Sequence, residues 1–369
     1  MTFRGAVCGS AEATAATASS DATRIRAERL RMGSSVSGND NAAGDAANVR
    51  LLEFAGSVTD PIAIAGAPKA PPRVARASTR GARLRLRRGI PLRDAMLAAF
   101  RRIIAAARRI ASAAAQNPEQ AVHEYRKSVR RARAVVALLR PALGRSASGR
   151  MLEHLRNAFR ETSELRDGDV LFGTLNGLAG DDPALVAEAG ELAARMGEGR
   201  DAPDPVAVLR RAALHLKPLP AALEVTLPAA YSTPDLEAGL ARSYRRTRQA
   251  LDRAIETRSD DDFHEWRKRE KELRYQLELL AAGGSKALKR RERVLGDLAQ
   301  DLGAVTDLMV LCRELETSAG AGEPGRGERL LDRARATARQ GADELLIRAP
   351  ELFRDSPREF ALQVLAERG

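Results

Sequence analysis

An all-α fold, two pseudo-symmetric helical bundles made by an internal repeat, is what this sequence predicts, and three observations predict it. Strand signals are nearly absent, and "LEVTL" is the only strand-like run in the Pro-rich connector between the halves. Segment after segment carries apolar residues at 3,4 spacing, the mark of amphipathic helices. Finally, "HEYRKSVRRAR" at 123–133 returns as "HEWRKREKELR" at 264–274, 141 positions later, and such self-similarity signals a repeated architecture.

The elements follow in order. Residues 1–84 are rich in Ala, Gly, Ser and Thr with little periodicity and read as a disordered low-complexity leader. Met32 and Met96 are candidate later starts, and N-terminal sequencing of the native protein decides between them. The first 20 residues hold a lone Arg4 and no continuous apolar core, so a signal peptide is not expected. A helical domain is expected over 85–369, its first half about 88–217 and its second about 234–369. "PLRDAMLAAFRRIIAAARRIASAAAQ" predicts the first helix, with Pro91 just inside its start. Asn117 and Pro118 open the second as N-cap and first residue, and Pro141 is expected to end it. "GRMLEHLRNAFRETSELR" predicts a third helix, "DGDVLFGTLNGL" a short fourth, and "PALVAEAGELAARM" and "PVAVLRRAALHL" two more. The Pro-rich "KPLPAALEVTLPAAYSTP" separates the halves. The second half begins with "DLEAGLARSYRRTRQALDRAIE" and "DDFHEWRKREKELRYQLELLAA". "ALKRRERVLGDLAQDLG" and "VTDLMVLCRELE" are expected as separate helices, before a long one around "GERLLDRARATARQGADELL" and a short last one beyond Asp355.

The repeat aligns Val122, Tyr125, Ala132, Val136 and Leu139 with Phe263, Trp266, Leu273, Leu277 and Leu280. Each set forms one apolar stripe facing a core. Glu270 stands where the first copy has Val129, which marks either a looser edge of the packing or a brace for a neighbouring Arg. "RDGDVL" at 166–171 likewise falls on "TDLMVL" at 306–311, pairing Asp167 with Asp307.

At about 100° per residue, Arg126, Lys127, Arg130 and Arg133 lie near His123 and beside the apolar stripe, where helices meet their neighbours. His264, Arg267, Lys268, Lys271 and Arg274 take the same angles in the second copy, and only Arg131 and its counterpart Glu272 are expected to point outward. Like charges one turn apart cost a few tenths of a kcal/mol per pair, a cost that a bound anion reverses. Arg grips phosphate oxygens with a planar fork and Lys adds a point charge. Two such stripes facing one another would line a shared groove. Secondary contacts to a polyanion are expected from Arg101, Arg108, Arg109, Arg245, Arg248, Lys286, Lys289, Arg290 and Arg293.

Composition limits the alternatives. The formal net charge is +12, which favours polyanionic partners. Two cysteines, Cys8 and Cys312, exclude a disulfide framework and fit a reducing cytoplasm. No apolar run is long enough for a membrane span. Cations at +3 and +4 from each His repel a divalent ion, and HExxH is missing, so no metal, cofactor or catalysis is expected. Aromatics are only 4% of residues, and Tyr125, Phe263 and Trp266 belong to the core stripe. Nucleic acid is therefore the weaker competitor, since single-strand binders use exposed aromatics for stacking.

The two "HxxRK" openings with cations at +7 and +10, the "LRDGDVL" segment and "FHEWRKREKELRYQLELL" resemble the CHAD family, whose name stands for conserved histidine α-helical domain. The resemblance covers 85–369. It implies two pseudo-symmetric bundles with a basic cavity between them, binding of inorganic polyphosphate, and residence at cytoplasmic polyphosphate granules. Polyphosphate-metabolising proteins are the further partners it implies. Carried over, the binding role falls on His123, Arg126, Lys127, Arg130 and Arg133 and on His264, Arg267, Lys268, Lys271 and Arg274. Glu270 and Glu272 dilute the second motif, and Thr306 replaces an Arg, so the first copy is expected to dominate affinity. Some relatives carry a triphosphate-tunnel domain with an ExExK signature; that motif is absent here and hydrolysis is not implied. Each imidazole is expected to donate to a phosphate oxygen, so that binding tightens as pH falls through the histidine range.

Overall fold

The computed structural model describes residues 90–197, 203–281, 284–319 and 327–368, and the predicted leader lies outside them. Every regular element among the described residues is helical. In chain order these are α1 Leu92–Ser112, α2 Pro118–Arg160, α3 Glu164–Ala179, α4 Pro183–Gly197, α5 Pro205–Leu214, α6 Leu219–Thr226, α7 Thr233–Thr257, α8 Asp260–Leu280, α9 Lys286–Ala319, α10 Glu328–Leu352 and α11 Pro357–Arg368. A 3₁₀ turn, Ala114–Gln116, joins α1 to α2.

α2 organises the molecule. Its start is written locally: the Asn117 side chain accepts from the Gln120 amide at 3.1 Å, and Pro118 supplies the first helical φ. On one side α2 packs against α1, α5 and α6, and on the other against α7 and α8. α7, α8, α9 and α10 pack in succession, α11 lies on α7 and α9, and α3 reaches across to α9 and α10. Both predicted apolar stripes are buried, from Val122 to Leu139 on α2 and from Phe263 to Leu280 on α8. Tyr125 and Trp266 have no exposed surface.

Four expectations change. Pro141 does not end α2; the chain stays helical past it and kinks at Gly144, whose φ of 74° and ψ of 171° suit a residue without a side chain. The Ser148 hydroxyl donates to the Gly144 carbonyl at 2.5 Å, one turn back at the start of the far arm. The predicted third helix is thus the far arm of α2. "LEVTL" is not a strand but the end of α6, because Leu219 and Leu223 recur one turn apart and are both buried. Arg93 of α1 donates to the Glu224 carbonyl at 2.7 Å and to that of Leu227 at 3.1 Å, satisfying the end of this short helix. The two helices expected over 287–316 are one, α9, which runs through Gly296 and Gly303.

The fourth change concerns Arg131 and Glu272. Because α2 is covered on both sides, Arg131 is 8% exposed and forms an ion pair with Glu278 of α8, with the Tyr275 ring 5.9 Å from its guanidinium. Glu272 is likewise half-buried, between Arg269 at 3.6 Å and Arg246 of α7 at 4.0 Å. The outward face of an isolated helix is an inward face here.

Candidate functional site

α8 begins with three carboxylates, Asp260, Asp261 and Asp262, in its first turn, where they complement the helix dipole. The Ser259 side chain accepts from the Asp262 amide at 3.2 Å and fixes that end. The helix then runs beside α2, and a cleft of about 580 Å³ lies between them, closed also by Val170 and Leu171 of α3 and by Asp307 and Val310 of α9. Arg126, Arg130 and Arg133 line it from α2, and His264, Arg267, Lys268 and Lys271 from α8. The wall also holds Phe159, Tyr275 and four carboxylates: Asp261, Glu265, Glu272 and Asp307.

Several of these cations are held in place by the protein itself. Arg126 is 5% exposed; its Nη1 donates to the Thr162 carbonyl at 2.6 Å, and its guanidinium lies 4.0 Å from the centre of the Phe159 ring. It therefore fastens the near arm of α2 to the segment beyond its end. Arg267 donates to both carboxylate oxygens of Asp307 on α9, at 2.7 and 3.3 Å, so Asp307 orients an arginine. A Cβ at Gly303 would lie 3.4 Å from Arg267 Nη2, and the bare glycine leaves room for this fork. Lys268 reaches Glu265 at 3.0 Å, and Arg269 pairs with Glu265 and Glu272.

Lys271 and Arg133 differ from these. Neither has an ion-pair partner among the described residues, and both carry pKa values lowered chiefly by burial. The Lys271 ammonium falls to about 7: Arg267 and Arg130 add to the effect of burial, while Asp307 and Glu270 oppose it. His264 Nδ1 lies 2.9 Å from the Asp260 carbonyl, one turn earlier. A carbonyl only accepts, so the hydrogen of the neutral ring sits on Nδ1, and Nε2 donates only in the imidazolium form.

The remaining expected residues lie elsewhere. His123 is exposed and Lys127 faces Glu124 at 3.7 Å; neither lines the cleft. Arg274 turns toward α9, where a Cβ at Gly296 would come 3.4 Å from its Nε. Arg101 pairs with Glu224 at 2.6 Å, Arg248 donates to the Asp355 carbonyl at 3.2 Å, and Arg108, Arg109, Arg245, Lys286, Lys289 and Arg293 are exposed away from the cleft wall. Arg290 is half-buried and also outside it. The side chain of Asp167 is outside the described residues. Glu265, Asp261, Phe159 and Tyr275 were missed from the sequence. Only the Glu265–Arg269–Glu272 run left a signal there, as opposite charges at helical spacing. Among the described residues no cluster of three or more His, Cys, Asp or Glu side chains is placed to hold a metal ion, and no described helix is long and apolar enough to cross a membrane.

The family model of the CHAD domain matches residues 94–316, more than half of the chain. The chain belongs to the CHAD domain family. A solved CHAD structure, the crystal structure of the CHAD domain from the plant Ricinus communis, is 19% identical; the match covers 77% of this chain and 96% of that one, with a TM-score of 0.48. None of the curated proteins is matched by this sequence. In this CHAD protein the matched region contains all of α2, α3 and α8 and the part of α9 that bears Asp307, and hence every residue that lines the cleft.

Proposed function

We propose that this CHAD protein binds inorganic polyphosphate in the cleft between α2 and α8, as a binding protein located at cytoplasmic polyphosphate granules. The family is associated with polyphosphate binding. The observation that carries the reading is the meeting of cations from two separate helices on one cleft, with Arg133 and Lys271 left without carboxylate partners among the described residues. A ligand with a charge on every unit suits such a wall, because each phosphate meets a fork or an ammonium and no base is needed for stacking. Arg126 and Arg267, already fastened by Thr162 and Asp307, hold the two sides of the cleft in position. His264 lines the same cleft, its ring held by the Asp260 carbonyl.

The test is an equilibrium titration of the full chain with long-chain polyphosphate at about 0.15 M salt, with single-stranded DNA as competitor at equal phosphate concentration. Polyphosphate is expected to bind, DNA to leave it in place, and R133A/K271A to weaken binding by about tenfold or more. Displacement by DNA would instead make the protein a non-specific nucleic-acid binder. Undiminished binding by R133A/K271A would remove the cleft from the account.

A further inference from the structure

The arginine stripe of α2 does not stop where the cleft does. Arg126, Arg130, Arg133 and Arg140 follow one another at spacings of 4, 3 and 7, which keeps all four on one face of the helix. The first three line the cleft; Arg140 lies beyond it, where α7 crosses α2. The crossing is close: a Cβ at Gly239 of α7 would lie 2.1 Å from the Leu138 carbonyl oxygen, so the two backbones touch. Arg242 and Arg246 follow about one and two turns along the same face of α7.

These side chains share one electrostatic neighbourhood. Arg242 and Arg246 each feel Arg140, Arg269 and Glu272, and Arg133 feels Arg269, Glu272 and Glu265 from the cleft side. Among the described residues the acids that act on this group, Glu265 and Glu272, are already engaged, Glu265 by Lys268 and Arg269, and Glu272 by Arg269 and Arg246. Arg242 Nη1 is buried with no hydrogen-bond partner, and Arg133 and Arg140 have no ion-pair partner among the described residues. Cations outnumber acids in a half-buried crossing that stability alone does not call for. A ligand supplying several negative charges in a row resolves both the repulsion and the orphaned donor.

We propose that Arg140, Arg242 and Arg246 form a second anion subsite, continuous with the cleft through Arg133, which takes a further stretch of the same phosphate chain and so selects long chains over short ones. This inference rests on the polyphosphate reading of the cleft. Along α2, Arg126 and Arg140 are separated by about 21 Å at the helical rise of 1.5 Å per residue, a span that three linked phosphates do not bridge. A long chain fills both regions; a short one occupies one at a time.

The experiment compares tripolyphosphate with long-chain polyphosphate by calorimetric titration of the full chain, per mole of phosphate. In R242A/R246A the ratio of long-chain to tripolyphosphate affinity is expected to fall about tenfold, as loss of two charge-assisted forks implies. R140A, on the other helix of the crossing, lowers the same ratio by a smaller factor and stands in if the double variant does not fold. R133A/K271A weakens both ligands. An unchanged ratio in R242A/R246A and R140A, with both ligands weakened by R133A/K271A, overturns the second subsite and leaves the cleft standing. If R133A/K271A weakens neither ligand, the cleft reading fails and the subsite with it.

Discussion

Glu270 has no exposed surface, and neither of its carboxylate oxygens has a hydrogen-bond partner. It is neither a loose edge nor a brace. Burial raises its pKa to about 8, against the opposing pull of Arg274, Lys271 and Arg267. The folded chain therefore holds a proton that the unfolded chain, with an ordinary value of about 4.3, releases. Its stabilising contribution is fully present below the unfolded value and is lost as pH rises through about 8. E270Q escapes that loss. Its thermal midpoint is expected to exceed that of the wild type at about pH 8.5, with the gap closing toward about pH 5; a gap independent of pH would mean the carboxyl is ionised in the fold. Lys271 titrates with the opposite sign. Its lowered value makes a contribution present above the unfolded lysine value and lost as pH falls through about 7. Polyphosphate favours the charged ammonium, so binding is expected to take up a proton between about pH 7 and about pH 10, and affinity falls as pH rises across that window. Titrations in buffers of different ionisation enthalpy measure the uptake, and K271R is expected to abolish it.

Among elements, α2 shows how a local rule yields to its surroundings. A proline inside a helix usually ends or bends it, yet Pro141 stays helical and Gly144 bends instead, three residues later. The left-handed φ there leaves no place for a side chain without strain. G144A is expected to cost about 1–3 kcal/mol, read as a lower urea midpoint with an unchanged slope. An unchanged midpoint would show that the kink relaxes. The α8–α9 seam works differently. Gly296 and Gly303 lie opposite Arg274 and Arg267, two pairs with the same seven-residue spacing, so small residues on one helix make room for arginines on the other.

For the whole molecule, a net charge of +12 makes long-range attraction to any polyanion strong and sensitive to salt. The logarithm of polyphosphate affinity is expected to fall linearly with the logarithm of salt concentration. By analogy with single strands, removing the two charges of R133A/K271A reduces the steepness by about 1.4. A slope equal to the wild type's would place the phosphate chain elsewhere on the surface. The same charge on a surface without the cleft would attract DNA equally well, and the competition experiment separates overall charge from local shape.

The helices, their apolar stripes and the cationic stripes beside them were legible in the sequence, because a 3,4 spacing and an N-cap such as Asn117 act within a few residues. That Arg126, Arg130 and Arg133 are brought to one cleft with His264, Arg267, Lys268 and Lys271 followed only in part, since angular position says which face a residue takes and not what lies opposite. Arg131 and Glu272 show the limit: a face called outward on one helix is covered once α2 sits between two sets of neighbours. His123 and Arg274 match their partners in the motif and yet stand outside the cleft wall. The sequence by itself determined that helices form, which stripe each one buries and that cations border those stripes, for these depend on propensity and period. Only the tertiary structure decided which charges are spent on Asp307, Thr162 and Glu278 and which remain for a ligand, because pairing depends on distances between residues far apart in the chain.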